Sequence, residues 1–202
     1  MPDARSAPVA EAFQYPEDSL EVSSMPQWAK WLKANHAKSP GIWLILSKKS
    51  SGGGLDYQEI LGIAISYGWI DAKRKSATAT TFLQRFTPRG KRSIWSKINR
   101  DKANALIASG QMQTAGLAEV ERAKQDGRWD RAYAGQAAIQ IPGDLAAELK
   151  TRPDARAFFD TLSSQNRYAI LFRLHNAKKA ETRAKRLATF VEMLEQHRKI
   201  YP

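Results

Sequence analysis

Asp71 is the one acid in a strongly basic stretch, and its neighbours set what it could do. Trp69, Asp71 and Lys73 alternate along WIDAK, so an extended strand would place all three on one face. A carboxylate beside tryptophan and near Arg85 or Arg89 could serve as a tuned acid–base group or anchor a ligand. It could equally form a structural ion pair, which is the favoured reading because no second titratable partner is visible. Downstream, Arg89, Lys91 and Arg92 precede Ser93, Trp95 and Asn99. If Ser93 caps a helix, those cations stand at its N-terminus, where free N–H groups and the dipole attract an anion. Gly90-Lys91-Arg92-Ser93 lacks the adjacent Lys-Ser of a Walker loop, which excludes that motif. Ser93 is a cap rather than a nucleophile, since no activating histidine or nucleophile-elbow motif accompanies it.

A second basic feature lies near the C-terminus. Lys179, Arg183 and Arg186 recur at steps of 4 and 3, a cationic helix stripe that could follow a phosphate backbone. The net charge is +12, and it is unevenly placed. Residues 73–102 hold 10 basic and 1 acidic side chain, and residues 163–202 hold 9 and 3, so these two segments carry all of the excess. Such asymmetry suits an anionic partner, nucleic acid among them, although a merely solvated basic surface has the same composition.

Several chemistries are excluded. There are no cysteines among the 202 residues, which removes disulfides, thiolate metal sites and thiol nucleophiles. His36, His175 and His197 show no metal-ligand spacing, and no metal or cofactor is expected. The start, MPDARSAPVAEAFQYPEDS, has no apolar region of a secretory signal, and the apolar run Ile42 to Leu46 is too short to span a bilayer. A cytoplasmic location is the expectation.

The elements that must position these residues follow from periodicity. Residues 1–22 read as a flexible tail. A helix capped by Ser23 or Ser24 carries Trp28, Trp31 and Leu32; IWLIL is a strand covered on both faces; Asp56 caps a second helix through Ile65. A hairpin follows from Trp69 to Thr87 with its turn within Lys75–Thr78, then the Ser93 helix and another from Thr114 to about Lys124. Residues 127–143 read as a linker packed on the first unit. Beyond them Asp144, Pro153 and Ser163 or Ser164 start helices, and a last helix carries the apolar stripe Ala180, Ala184, Leu187, Val191, Leu194. The expected architecture is α+β, a small antiparallel sheet packed with helices over residues 23–135, followed by a C-terminal helical unit over 143–198.

YGWIDAKRK (67–75), FTPRGKRSIWSKINR (86–100), GQMQTAGLAEVERAKQDGRWDRAY (110–133) and AKKAETRAKR (177–186) together resemble the YdeI/OmpD-associated family. The resemblance spans roughly residues 25–197. It implies a YjbR/frataxin-like core and, from the family's name, a bacteriocin-protection or porin-linked setting, with no defined activity. The function expected is a non-enzymatic stress-protective protein that binds an anionic partner. The alternatives are a small-molecule or phospho-ligand enzyme centred on Asp71, Arg89, Ser93 and Asn99, or a protein-interaction module using the C-terminal helices.

Overall fold

The computed structural model describes residues 13–52 and 54–202; most of the expected tail lies outside the described residues. The chain divides into two compact units. Unit 1 comprises residues up to Ser93 and Lys102–Ala123, and unit 2 comprises Ile94–Asp101 and Lys124–Pro202.

Unit 1 is built on a four-stranded sheet in the order β1-β2-β4-β3: β1 Ser19–Glu21, β2 Ile42–Ser47, β3 Trp69–Ser76 and β4 Thr81–Pro88. The class is α+β, as expected. The sheet, however, is mixed rather than antiparallel, because β1 pairs parallel to β2 (Ser19 with Trp43) while the other pairings are antiparallel. β1 falls within residues that composition assigns to a tail; three residues among prolines and acids give no periodic signal.

The helices on this sheet form for legible reasons. α1 (Met25–Asn35) starts where Ser24 accepts a hydrogen bond from the Gln27 N–H, with Pro26 in its first turn. Its Trp28 and Leu32 are fully buried, and Trp28 packs against both Trp31 and Phe86 of β4. The indole N–H groups find backbone partners, Trp28 on the Ile60 carbonyl and Trp69 on the His36 carbonyl, each at 3.1 Å. α2 (Tyr57–Ser66) is capped by Asp56, which accepts from the Gln58 N–H. It ends at Gly68, whose φ of +76° favours glycine and whose Cβ would stand 2.9 Å from the Ala115 carbonyl oxygen. Gly116 permits a closer approach still, since a Cβ there would lie 2.3 Å from the Ser66 carbonyl oxygen. α4 (Thr114–Gln125) can therefore begin backbone-to-backbone against the end of α2, where the Gln113 N–H also binds Ser66.

Two local expectations fail for identifiable reasons. The hairpin strand runs on to Ser76, and the turn lies at residues 77–80, because the Thr78 hydroxyl accepts from the N–H groups of Thr80 and Thr81 and closes it. Ser93 does not cap a helix. Its hydroxyl accepts from the Gly90 N–H at 3.0 Å and its own N–H returns to the Gly90 carbonyl, closing a turn. α3 (Lys97–Ala108) starts four residues later, with the Ser96 hydroxyl accepting from Asn99.

Unit 2 holds the other corrections. Residues 127–143 fall in unit 2 together with residues 94–101: Trp129 packs edge-on against Trp95 with centroids 4.9 Å apart, and the Tyr133 and Lys97 amides bond across a bridge between Ser96 and Tyr133. The remainder is helical: α5 (Gly143–Thr151), α6 (Pro153–Thr161), α7 (Ser164–His175) and α8 (Ala180–Glu195). Leu145, Leu149, Phe159, Ile170 and Leu174 meet Phe190, Val191 and Leu194 in one core. In α8 the apolar stripe holds only in its second half. Ala180 and Ala184 are exposed, and Leu187 is partly buried. The C-terminus is held by buried Asn166, whose side-chain oxygen accepts from the Ile200 and Tyr201 N–H groups at 3.0 and 2.9 Å.

Candidate functional site

β3 is an edge strand, and its register decides which side chains share a face. Asp71 pairs with Phe86 and Arg74 with Gln84, so Ala72 and Lys73 together oppose one residue, Arg85, in a β-bulge. The bulge shifts the alternation by one. Arg74, not Lys73, follows Asp71 on the face shared with Phe86, Gln84 and Phe82. Gln84 is buried because of it: its amide donates to the Lys73 carbonyl at 3.2 Å, satisfying a group that the irregular ladder leaves over.

On that face the phenol of Tyr57, the first residue of α2, donates to the Asp71 carboxylate at 2.6 Å. Burial first, then the hydrogen bond and the charge of Asp71, push the phenol well above the usual tyrosine range, with Arg74 opposing. The phenol therefore stays protonated and acts as a donor. Asp71 is a strand residue held by a helix start, which is the structural reading of that carboxylate with a phenol in place of a cation. The Arg74 guanidinium lies 3.7 Å from the centroid of the Phe82 ring. Beside it is a cavity of about 700 Å³ whose lining includes Leu46, Lys49, Tyr57, Gln58, Arg74 and Phe82. Lys49 stands in a short turn tied to the hairpin tip, where the Lys48 amide and the Ser51 hydroxyl both bind the Thr80 carbonyl.

On the opposite face the cations behave differently. Arg85 pairs with Asp18 and lies over Trp43, and the Lys75 ammonium is 4.9 Å from the same ring. Residues 72–76 are all exposed. Among the described residues, Lys49, Lys73, Arg74, Lys75, Lys91 and Arg92 make no ion pair.

The other residues singled out from the sequence have separate fates. Trp69 is core, 1% exposed. Arg89 is buried, its amide bonded to the Gly68 carbonyl, while Arg122 donates to the carbonyls of Arg89 and Gly90. Lys91 and Arg92 are exposed on the turn that Ser93 closes, so no helix N-terminus directly follows them. Trp95 and Asn99 belong to unit 2, and Trp95 is spent on the pair with Trp129.

In the C-terminal stripe, Arg183 makes a two-pronged pair with Asp144 at 2.6 and 2.8 Å and donates to the Leu174 carbonyl at 2.8 Å. That contact holds the Asp144 carboxyl below its usual range. Arg186 donates to the Arg173 carbonyl at 2.6 Å. Two of the three stripe cations thus cap the C-terminal end of α7, and Lys179 alone of the three is exposed. No group of metal-ligating side chains exists among the described residues, and no described helix is long and apolar enough to cross a membrane.

Tyr57, Arg74, Lys49 and Phe82 are the residues that sequence reasoning misses. A signal for Arg74 was present, since Ala72 to Lys75 breaks the alternation that an unbulged strand would keep.

Two family models match the chain. Residues 20–119 match a domain of unknown function, and residues 138–197 match the family described as "Bacteriocin-protection, YdeI or OmpD-Associated". Of the four motifs that suggested the resemblance, only AKKAETRAKR lies inside the second match. No curated protein and no solved structure matches. Over residues 138–197 the C-terminal helices are thus similar to the YdeI/OmpD-associated family.

Proposed function

We propose that the chain is a non-enzymatic cytoplasmic protein that binds an anionic partner, nucleic acid, along the hairpin edge of unit 1. One observation carries this: an exposed edge strand presents Lys73 and Lys75 without an ion-pair partner among the described residues. Lys91 and Arg92, exposed in the same unit, add to that surface. Cations already paired with carboxylates release few counterions on binding, whereas unpaired ones exchange them for phosphates. The description of the matched family, which names bacteriocin protection, is the reason to place the activity in a stress-protective setting.

The strand offers no helix for the major groove and no base-reading motif, so binding is expected to be insensitive to sequence. Fluorescence anisotropy with labelled duplex and single strand across salt concentrations tests it. Four contacts from Lys73, Lys75, Lys91 and Arg92 correspond to a log–log slope of about −3.6 on duplex DNA. Absence of binding at low salt would remove the proposal.

A further inference from the structure

We propose that the cavity beside Arg74 is a binding site for a small phosphate monoester, separate from the polyanion surface. Its volume of about 700 Å³ is that of a small-molecule pocket. Leu46 and Phe82 supply an apolar wall, and Gln58 and Tyr57 supply polar groups.

Its charges favour an oxyanion. Arg74 lies against Phe82, which restrains the guanidinium plane and leaves its in-plane N–H fork suited to two oxygens at once. Lys49 adds a second cation, and α2 begins at the cavity with Tyr57 and Gln58, bringing the positive end of its dipole. Two carboxylates stand nearby, Asp56 in the lining itself, and both keep their charge while their oxygens are taken up by neutral donors. Asp56 accepts from the Gln58 amide as the helix cap, and Asp71 accepts from the Tyr57 phenol. Neither Arg74 nor Lys49 has a carboxylate partner among the described residues. The Arg74 fork, the Lys49 ammonium and a helix start together offer more donors than the two oxygens of a carboxylate can use, which suits the three oxygens of a phosphate monoester. The apolar wall adds a demand that inorganic phosphate alone does not meet.

Isothermal titration of the full chain with phenyl phosphate, benzoate and inorganic phosphate at low ionic strength is the test. Phenyl phosphate is expected to bind saturably, one per chain, and at least tenfold more tightly than either of the others. Arg74→Ala is expected to weaken it at least tenfold, and Arg74→Lys, which keeps the charge and loses the fork, several-fold. Lys30→Ala, an exposed change on α1, should leave it unaltered. No saturable heat with phenyl phosphate overturns the proposal, as does an Arg74→Ala protein, folded by circular dichroism, that binds as wild type. Benzoate binding as tightly would refute the match to three oxygens, and inorganic phosphate binding as tightly would refute the apolar wall. Failure of nucleic-acid binding would leave this claim standing, because Lys73 and Lys75 test that surface while the cavity's own cations stay in place.

Discussion

The hairpin of unit 1 and the helices of unit 2 treat several of their cations in opposite ways. In unit 2, Arg128, Arg152, Arg156 and Arg183 are each paired with a carboxylate, and Arg186 is turned onto a helix-end carbonyl. In unit 1, the hairpin and the turn after it display Lys73, Arg74, Lys75, Lys91 and Arg92 without an ion-pair partner among the described residues. The sequence makes the two basic segments look alike, with excesses of nine and six charges. Their chemistry differs in that Arg183 and Arg186 of the second segment hold helices together, whereas the hairpin cations Lys73, Arg74 and Lys75 of the first face solvent. Net charge alone does not locate an anion site; the pairing state of each cation does.

The largest effect should come from the unit 2 core. Leu194→Ala removes a fully buried side chain and is expected to cost about 2–5 kcal/mol in thermal or urea unfolding. Leu187→Ala, only partly buried, should cost clearly less, and equal losses would contradict the observed phase of α8. In unit 1, Gly116→Ala forces a Cβ against the Ser66 carbonyl and is expected to cost about 1–3 kcal/mol, more if α4 cannot shift.

Next comes the contrast between arginines. Arg183→Ala is expected to destabilise by about 1 kcal/mol, because the pair is hydrogen-bonded at both prongs yet one-third exposed. Arg74→Ala should stay within about 0.5 kcal/mol. The Arg183 effect carries a pH signature. Asp144 is held below its usual range in the folded protein, so its contribution is present above the unfolded carboxylate value of about 3.9 and is lost as pH falls through the lower folded value. The melting difference between wild type and Arg183→Ala should therefore be constant near neutral pH and shrink below about pH 4. A difference that grew on acidification would contradict the pairing.

Much of this was legible in the sequence, and the failures share a cause. Trp28 and Leu32, IWLIL and Asp56 announce themselves by local period and capping and form as expected, and the hairpin forms with its turn displaced. What stayed hidden depends on a partner distant in sequence. Ser93 is a credible cap by sequence, but the helix starts after Ser96, which is bridged to Tyr133 far along the chain. Lys179, Arg183 and Arg186 have the spacing of a nucleic-acid stripe, and only the packing of α8 on α7 turns two of them inward onto Asp144 and the carbonyls of Leu174 and Arg173. The bulge at Ala72 and Lys73 exchanged Lys73 for Arg74 on the Asp71 face, and Tyr57 reaches that face from another element.

The central claim is that the hairpin, not the helix stripe, meets the anion, and the salt dependence of duplex binding tests it most directly. Anisotropy titrations should compare wild type, Lys73→Ala/Lys75→Ala and Arg183→Ala/Arg186→Ala, each confirmed folded at the working temperature. The hairpin variant is expected to have a log–log slope shallower by about 2, one contact per lost cation, while the helix variant keeps the wild-type slope. A slope that shallows only in the helix variant, or equally in both, would contradict the account.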